Sequence, residues 1–563
     1  MAAFDRGPLR NRCMSRKKPN RNPSPKPPAG PVESPAGTMP WARVELLAAM
    51  ALSLWVLLLH GLFLFHAGPL WRDEVGTIDF ASLPTLSDIW HHLQYDNFPP
   101  LFVLVARAWA LGGGTSDLSY RFLGALIGLA TLAVLWFASR QLGARVPLLV
   151  LALYASNPLA VRVGDAMRPY GLGIALTLLA SVTMWEFARR KGTRPWLCAL
   201  AAAVLSVQCL YQNAFLLAAY CCGAWAMTLA RRDWKTAARI AAIGAAAAVS
   251  LLANAVNIKK AQAWFGISRQ EIHWSRIAKV LSEALNNAGG WMTPVWAALL
   301  LAALAAAIVL AARRPGRGTA YHGIALAAGL ALYLLFLRNL GLEPRAWYFL
   351  LPLAPAALAL DAIFGGIDFA AVRLARAGAA LLIGLACLPA CYGGARLRQS
   401  NVDLVAAQLR QAAQPGDLIL VSPWYYGVSL QRYFDARRFV TLPPMSELRI
   451  HRYDLMKRQM EAENPIGPLL EAIRKTLQSG HALWIVGVFE TPPPGPPQPV
   501  YPPYHGGMDM PDARYFSSWM FEISGMIQAH ALSGGLVSIP VPGGQPVNPV
   551  EDLPLLVIRG WRE

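Results

Sequence analysis

Charge is scarce in this chain. Only 15% of its 563 residues are Asp, Glu, Lys or Arg, against about 25% in ordinary soluble domains. A protein made only of soluble domains is thereby excluded. Cysteine is scarce too, with seven in the chain and none in 396–563, so no disulfide framework supports the fold. No phosphate-cradling glycine run opens a helix after a strand, which leaves nucleotide binding without support. His91 and His92 stand near Asp88 and Asp96 but form no closed set of ligands. No cofactor is implied, and a divalent metal has no support. What abounds is apolar: 55% of the residues are hydrophobic and the mean hydropathy is +0.36. Disorder needs the opposite composition. The expected class is a polytopic α-helical membrane protein.

Eleven apolar runs approach the roughly 20 residues a spanning helix needs. They cover about 46–65, 119–139, 146–161, 170–188, 195–211, 213–230, 237–256, 291–312, 320–340, 345–363 and 377–393. The first reads as a retained transmembrane helix, because the basic segment before it is too long for a signal peptide. The run 99–111 is short, holds Arg107 and starts with two prolines, so it reads as an interfacial helix. Cys221, Cys222, Cys387 and Cys391 lie within spans and read as packing thiols.

The net charge of +19 is unevenly spread. Residues 1–43 carry nine basic and two acidic residues, 44–395 carry 27 and 15, and 396–563 carry 15 and 15. The first segment reads as a disordered basic cytoplasmic tail. No aromatics interleave its charges, so nucleic acid is not an expected partner. With 99–111 not crossing, the basic clusters at Arg140/Arg145, Arg189–Arg194, Arg231–Arg239, Arg313–Arg317 and Arg373/Arg376 fall on the side of the N-terminus. The positive-inside rule then places the N-terminus in the cytoplasm and 396–563 outside. The implied location is a bacterial-style inner membrane.

Polar residues collect on the outer side. The first outer loop opens Trp71-Arg72-Asp73-Glu74, and Arg121 starts the next span. Arg162, Asp165, Arg168 and Tyr170 surround another outer turn, and Arg338, Glu343, Arg345 and Tyr348 a later one. Outer arginines run against the topology rule and need another reason. Arginine's planar fork suits phosphate, and ionisable groups at membrane depth usually face a cavity or a partner. Internal ion pairs and snorkelling to headgroups are the plainer alternative.

These pieces resemble the GT-C superfamily of glycosyltransferases, in particular the glycosyltransferase family 39-like branch that holds protein O-mannosyltransferases and lipid A aminoarabinose transferases. Asp73-Glu74 matches its Asp-Glu pair. Asn97-Phe98-Pro99-Pro100-Leu101 matches its His-Pro-Pro-Leu-like segment, with Phe98 in place of His. Ser119-Tyr120-Arg121-Phe122 matches its Arg-led span, and Ala166-Met167-Arg168-Pro169-Tyr170 its Ala-Arg-x-Tyr segment. Arg345-Ala346-Trp347-Tyr348, followed by Leu351-Pro352-Leu353-Ala354-Pro355, resembles its late Arg-x-x-Tyr and Pro-rich span. The resemblance covers about 45–395. It implies a GT-C-like catalytic domain over 44–395 that moves one sugar from a polyprenyl-phosphate donor to a lipid, glycan or protein acceptor. It also implies Asp73 as general base, Glu74 as its positioning partner or as a holder of the sugar, and Arg121, Arg168 and Arg345 on the donor phosphate. Asp165, Tyr170, Tyr348, Pro99 and Pro100 would complete the substrate site, with Asp165 on sugar hydroxyls or orienting Arg168.

Residues 396–563 read as a small α/β domain with a partly parallel sheet. Strands are expected near 417–422, 438–442, 482–488 and 555–558, and helices near 426–434, 465–477 and 517–527; 491–506 is a Pro-rich loop. This domain would bind the acceptor or cap the membrane site. A transporter or flippase for a lipid-linked sugar, and a scaffold working through its C-terminal domain, are the competing functions. Against the transporter, the halves show no repeat and the polar groups gather at one face.

Overall fold

A computed structural model describes residues 40–96, 98–313, 318–493, 500–506 and 511–563. Helix α1 spans Pro40–His66, so the expected tail loses its last four residues to the first helical turn. The rest of the tail, 1–39, lies outside the described residues, as do Asn97, Arg314, Arg317 and 494–499 of the Pro-rich loop. Three short helices follow: α2 (Arg72–Ala81), α3 (Leu86–His92) and α4 (Leu101–Leu111). The Arg107 guanidinium of α4 donates to the carbonyls of Ala81, Leu83 and Pro84, satisfying oxygens freed where α2 ends.

The remaining helices of this half are α5 (Asp117–Gln141), α6 (Pro158–Gly164), α7 (Tyr170–Arg190), α8 (Thr193–Cys209), α9 (Asn213–Ala230), α10 (Trp234–Leu252), α11 (Ala255–Phe265), α12 (Trp274–Leu285), α13 (Met292–Arg313), α14 (Gly318–Leu340), α15 (Leu350–Gly365) and α16 (Ala370–Ala395). Among the described residues nine helices are long and apolar enough to cross a membrane: α1, α5, α7, α9, α10, α13, α14, α15 with its leading turn, and α16. The chain is an integral membrane protein.

Nine of the eleven expected runs are thus single long helices among the described residues, and the other two differ for physical reasons. Run 195–211 forms the 17-residue α8, about 26 Å at 1.5 Å per residue. Run 146–161 breaks at Asn157-Pro158. Proline has no N–H to give, and its ring would strike the carbonyl four residues back. Asn157 caps the next helix by accepting from the Leu159 amide at 2.8 Å. The start of this run is fastened elsewhere: the buried Asp361 carboxylate of α15 accepts the amides of Leu148, Leu149 and Val150 at 2.9, 3.0 and 2.8 Å. Those are the donors a helix start leaves unpaired.

Asp361 belongs to a cluster at one end of the bundle. Arg376 lies 3.9 Å from it and donates to Glu45 of α1 at 3.0 Å, while Arg373 grips the same Glu45. Arg373 and Arg376, expected as loop charges that mark topology, are therefore buried members of an ion network within α16. Other basic residues face outward at the same end, where Arg145 pairs with Asp368 and Lys191 with Asp233, each at 2.6 Å. Residues 148–164 lead from this cluster to the opposite end, where the Met167 amide meets Glu74.

That opposite end carries the C-terminal part. Its elements are α17 (Val402–Ala412), β1 (Leu418–Ser422), α18 (Tyr426–Tyr433), β2 (Val440–Thr441), α19 (Tyr453–Glu461), α20 (Gly467–Gln478), β3 (Ala482–Gly487), α21 (Pro511–His530), β4 (Ala531–Val537) and β5 (Leu555–Trp561). The sheet runs β2-β1-β3-β5-β4. The first three strands are parallel, and β5 and β4 are antiparallel to their neighbours. The buried apolar strands β1 and β3 and the mixed sheet match expectation. Strand β4 escapes a sequence search because Gly534-Gly535 interrupts it and most of its residues are exposed.

The sheet domain sits directly on the first loop. The Leu70 amide donates to the Tyr433 hydroxyl at 2.8 Å, and Arg432 pairs with Asp117 at 2.7 Å. Gln545 donates to the carbonyls of His66 and Arg396, where α1 and α16 emerge. One continuous apolar core joins α2 and α4 to β1, β3 and α18.

Candidate active site beneath the C-terminal domain

Asp73 and Glu74 both lie in the first turn of α2. Neighbours on a helix point about 100° apart, so the pair divides. Glu74 turns inward and is fully buried. It accepts from Arg121 at 2.5 Å, from the Met167 amide at 2.9 Å and from the Trp71 amide at 3.2 Å. Arg121, also buried, gives its other nitrogen to the Pro69 carbonyl at 2.7 Å. Both charges are committed to each other and to backbone.

Asp73 turns the other way, and its side chain stays 25% exposed. Arg72 donates to it at 3.2 Å, and the Arg72 guanidinium lies 4.4 Å from the Tyr425 ring centre. Arg168 donates to the Asp73 carbonyl at 3.2 Å and to the Thr77 hydroxyl at 2.8 Å. Its guanidinium lies 4.7 Å from the Phe98 ring centre. Phe98, standing where the resembled family has His, is thus a cation–π support for Arg168. Pro99 is buried, and Pro100 leads into α4, so these prolines set the turn that presents Phe98. Tyr170 packs edge-on against Phe98, with ring centres 5.6 Å apart. Tyr348 lies within the electrostatic reach of Arg345, Asp73 and Arg168. Arg345 itself is exposed, and among the described residues its guanidinium has no hydrogen bond or ion pair.

Six of the expected site residues therefore gather on one side of α2: Asp73, Arg168, Tyr170, Tyr348 and the two prolines. Arg345 stands beside Tyr348. Asp165 does not join them. It is fully buried and bonds His60 of α1 at 2.7 Å, against Gly128. A Cβ at Gly128 would come within 2.2 Å of the Asp165 carboxylate. His91 and His92 bond carbonyls of their own helix, each at 2.7 Å.

Burial pushes the Asp73 carboxyl up, but the nearby charge of Arg72, then of Arg168 and His451, outweighs it and holds the group below its ordinary value. Burial drives His451 down to about 4, in spite of the Asp73 carboxylate, so its ring is neutral near pH 7. Burial disfavours charge on Arg168, but Asp73 and Asp96 more than restore it.

Three members of this site carry no signal in the sequence. His451 comes from the loop before α19 and brings its Nε2 to 3.9 Å from Asp73. Tyr425 lies under Arg72. Glu551, fully buried, accepts the Arg72 amide at 2.9 Å and the Ser400 hydroxyl at 3.0 Å. It thus caps from another domain the helix whose own N-cap, Trp71, has no side-chain oxygen. Burial pushes the Glu551 carboxyl from 4.5 up to about 7, against the Arg72 amide and charge. The folded chain then keeps a proton that the unfolded chain has released. Stability should fall as pH rises from about 4.5 to about 7 and then level off. Glu551→Gln removes that loss. In thermal unfolding it is expected to match the parent near pH 5 and to melt higher near pH 8. An equal difference at both pH values would rule the titration out.

No family model matches the chain, and no curated protein matches it. Among solved structures it is similar to ArnT from Cupriavidus metallidurans bound to undecaprenyl phosphate. That match has 14% identity, covers 79% of this chain and 92% of that one, and has a TM-score of 0.46. The same protein in the apo state matches with 14% identity over 78% and 92% and a TM-score of 0.48. The Archaeoglobus fulgidus oligosaccharyltransferase in complex with Zn and sulfate matches with 14% identity over 78% and 67% and a TM-score of 0.49. At such values the function must be read from the site itself.

Proposed function

We propose that the chain is a membrane glycosyltransferase. It takes a sugar from a polyprenyl-phosphate donor and passes it to an acceptor at the extracytoplasmic face of a bacterial-style inner membrane. The observation that carries this reading is the partly exposed Asp73 carboxylate, set among Arg72, Arg168 and the nearby exposed Arg345 at the end of an apolar bundle. A prenyl phosphate needs that combination of apolar flank and arginine forks. The basic clusters at the opposite end favour a cytoplasmic placement for it. The similar solved structures include one bound to undecaprenyl phosphate and an oligosaccharyltransferase, in keeping with a lipid-linked donor.

In this mechanism Asp73 accepts the proton of the attacking group. Arg168 and Arg345 hold the donor phosphate and stabilise the charge that grows on it as it leaves. Tyr170 and Tyr348 wall the site, and Pro99-Pro100 place Phe98 under Arg168. Arg121, committed to Glu74, positions α2 and leaves the phosphate to the other arginines. Asp165, sealed against His60, supports the turn that carries Arg168. The domain over 396–563 caps the site.

The test uses the purified full chain in lipid nanodiscs with undecaprenyl-phosphate donors carrying labelled hexoses or pentoses. Release of undecaprenyl phosphate with the label moved to an acceptor is expected. Label crossing the bilayer with every donor intact would make the chain a flippase instead.

A further inference from the structure

The 3.9 Å between His451 Nε2 and the Asp73 carboxylate is too long for a hydrogen bond, which needs roughly 2.7–3.2 Å. It suits an oxygen placed between them, with two legs of about 2.8 Å meeting near a right angle. The ring is held in that position. Trp424 packs edge-on against it at 6.1 Å, and Tyr453 stacks on it at 6.4 Å and 21°. Its Cε1 and Nδ1 edge approaches Gly76, one turn after Asp73, where a Cβ would come within 2.9 Å. A glycine inside a helix costs up to about 1 kcal/mol relative to alanine, and here its missing side chain lets the imidazole reach α2. Among the described residues neither ring nitrogen of His451 has a hydrogen-bond partner.

We propose that the acceptor is a neutral alcohol, its hydroxyl held between His451 of the C-terminal domain and Asp73. The inference rests on the glycosyl-transfer function and names its acceptor class. The neutral imidazole donates its one N–H to the hydroxyl oxygen, and the hydroxyl donates its proton to Asp73. A free lone pair of the oxygen attacks the anomeric carbon, and a new C–O bond forms. The bond from that carbon to the phosphate oxygen breaks, and its electron pair leaves with the prenyl phosphate. The proton stays on Asp73 until solvent takes it. A phosphate acceptor fits poorly here. Its charge would face the Asp73 carboxylate across a neutral ring, while Arg72 is clamped between Asp73 and Tyr425 and Arg168 serves the donor phosphate.

The experiment compares the parent with His451→Ala and His451→Gln in nanodiscs, using whichever undecaprenyl-phosphate donor the parent cleaves. Acceptor probes are an alkyl glucoside, a serine peptide and a glucosamine phosphate. The parent is expected to glycosylate a hydroxyl of the glucoside or the peptide. His451→Ala should raise the KM for that acceptor about tenfold or more, the loss of one hydrogen bond to a reacting group, and leave the donor KM unchanged. His451→Gln keeps an N–H donor beside Gly76 and should restore most of the loss. Sugar recovered on phosphate oxygen, or an acceptor KM unchanged in His451→Ala, overturns the inference while glycosyl transfer stands. Failure of the parent to cleave any donor removes both.

Discussion

Asp73→Asn is expected to abolish sugar transfer and to leave the protein folded. The amide occupies the same volume beside Arg72 and His451 but cannot take a proton. Removal of a positioned general base slows reactions by about 10²–10⁴-fold. Stability should move little, because the Asp73–Arg72 pair is a quarter exposed and such pairs contribute about 0–1 kcal/mol. Asp73 is depressed below its ordinary value, so it is already ionised throughout the neutral range. The activity it supports should be flat there and fall only in acid. The small stabilisation from its pairing likewise disappears only as pH falls through its depressed value. Transfer of label from the cleaved donor, followed across pH, checks both points. An Asp73→Asn enzyme within tenfold of the parent would show that another group is the base.

Arg121→Met is expected to do the reverse, costing stability first and activity only through it. It leaves Glu74 charged, fully buried and deprived of its partner. Breaking such a pair costs about 3–5 kcal/mol, whereas replacing both charges is often neutral. Glu74→Gln in the same chain keeps an oxygen for the Met167 and Trp71 amides and removes the stranded charge. The double variant should therefore recover much of the folded yield and thermal stability that Arg121→Met loses. A double variant no better than Arg121→Met would mean that Arg121 acts through its contacts with Pro69 and Phe63 and not through charge.

The different duties of Asp73 and Glu74 show what sequence can and cannot deliver. Side by side in the chain, the two carboxylates announce a site. Their roles follow from the helix period, which sends one to the core and the other to the cleft, and that requires knowing that a helix starts at Arg72. The spans were legible because their apolar runs are long. Two of the eleven runs are not single long helices, one because Pro158 breaks it and one because its helix has only 17 residues. Arg373 and Arg376 look like topology charges from sequence, and only their placement against Glu45 and Asp361 makes them an internal network. His451 and Glu551 were beyond reach. They lie in a loop and a turn without a motif, and their importance comes from the domain that carries them over Asp73. Gly76 is similar: it looks like a weak point in α2 until His451 is seen against it.

The Asp361 carboxylate has a bearing on how the chain is made. A segment in a bilayer must satisfy every backbone group it buries. The amides of Leu148, Leu149 and Val150 are met in the finished protein by a residue synthesised more than two hundred positions later. When residues 148–164 first leave the ribosome, water or headgroups must hold those three donors. Those three bonds form only once α15 has been made. The stretch that leads to Asp165 and Arg168 is therefore fastened at its start by a part of the chain made much later.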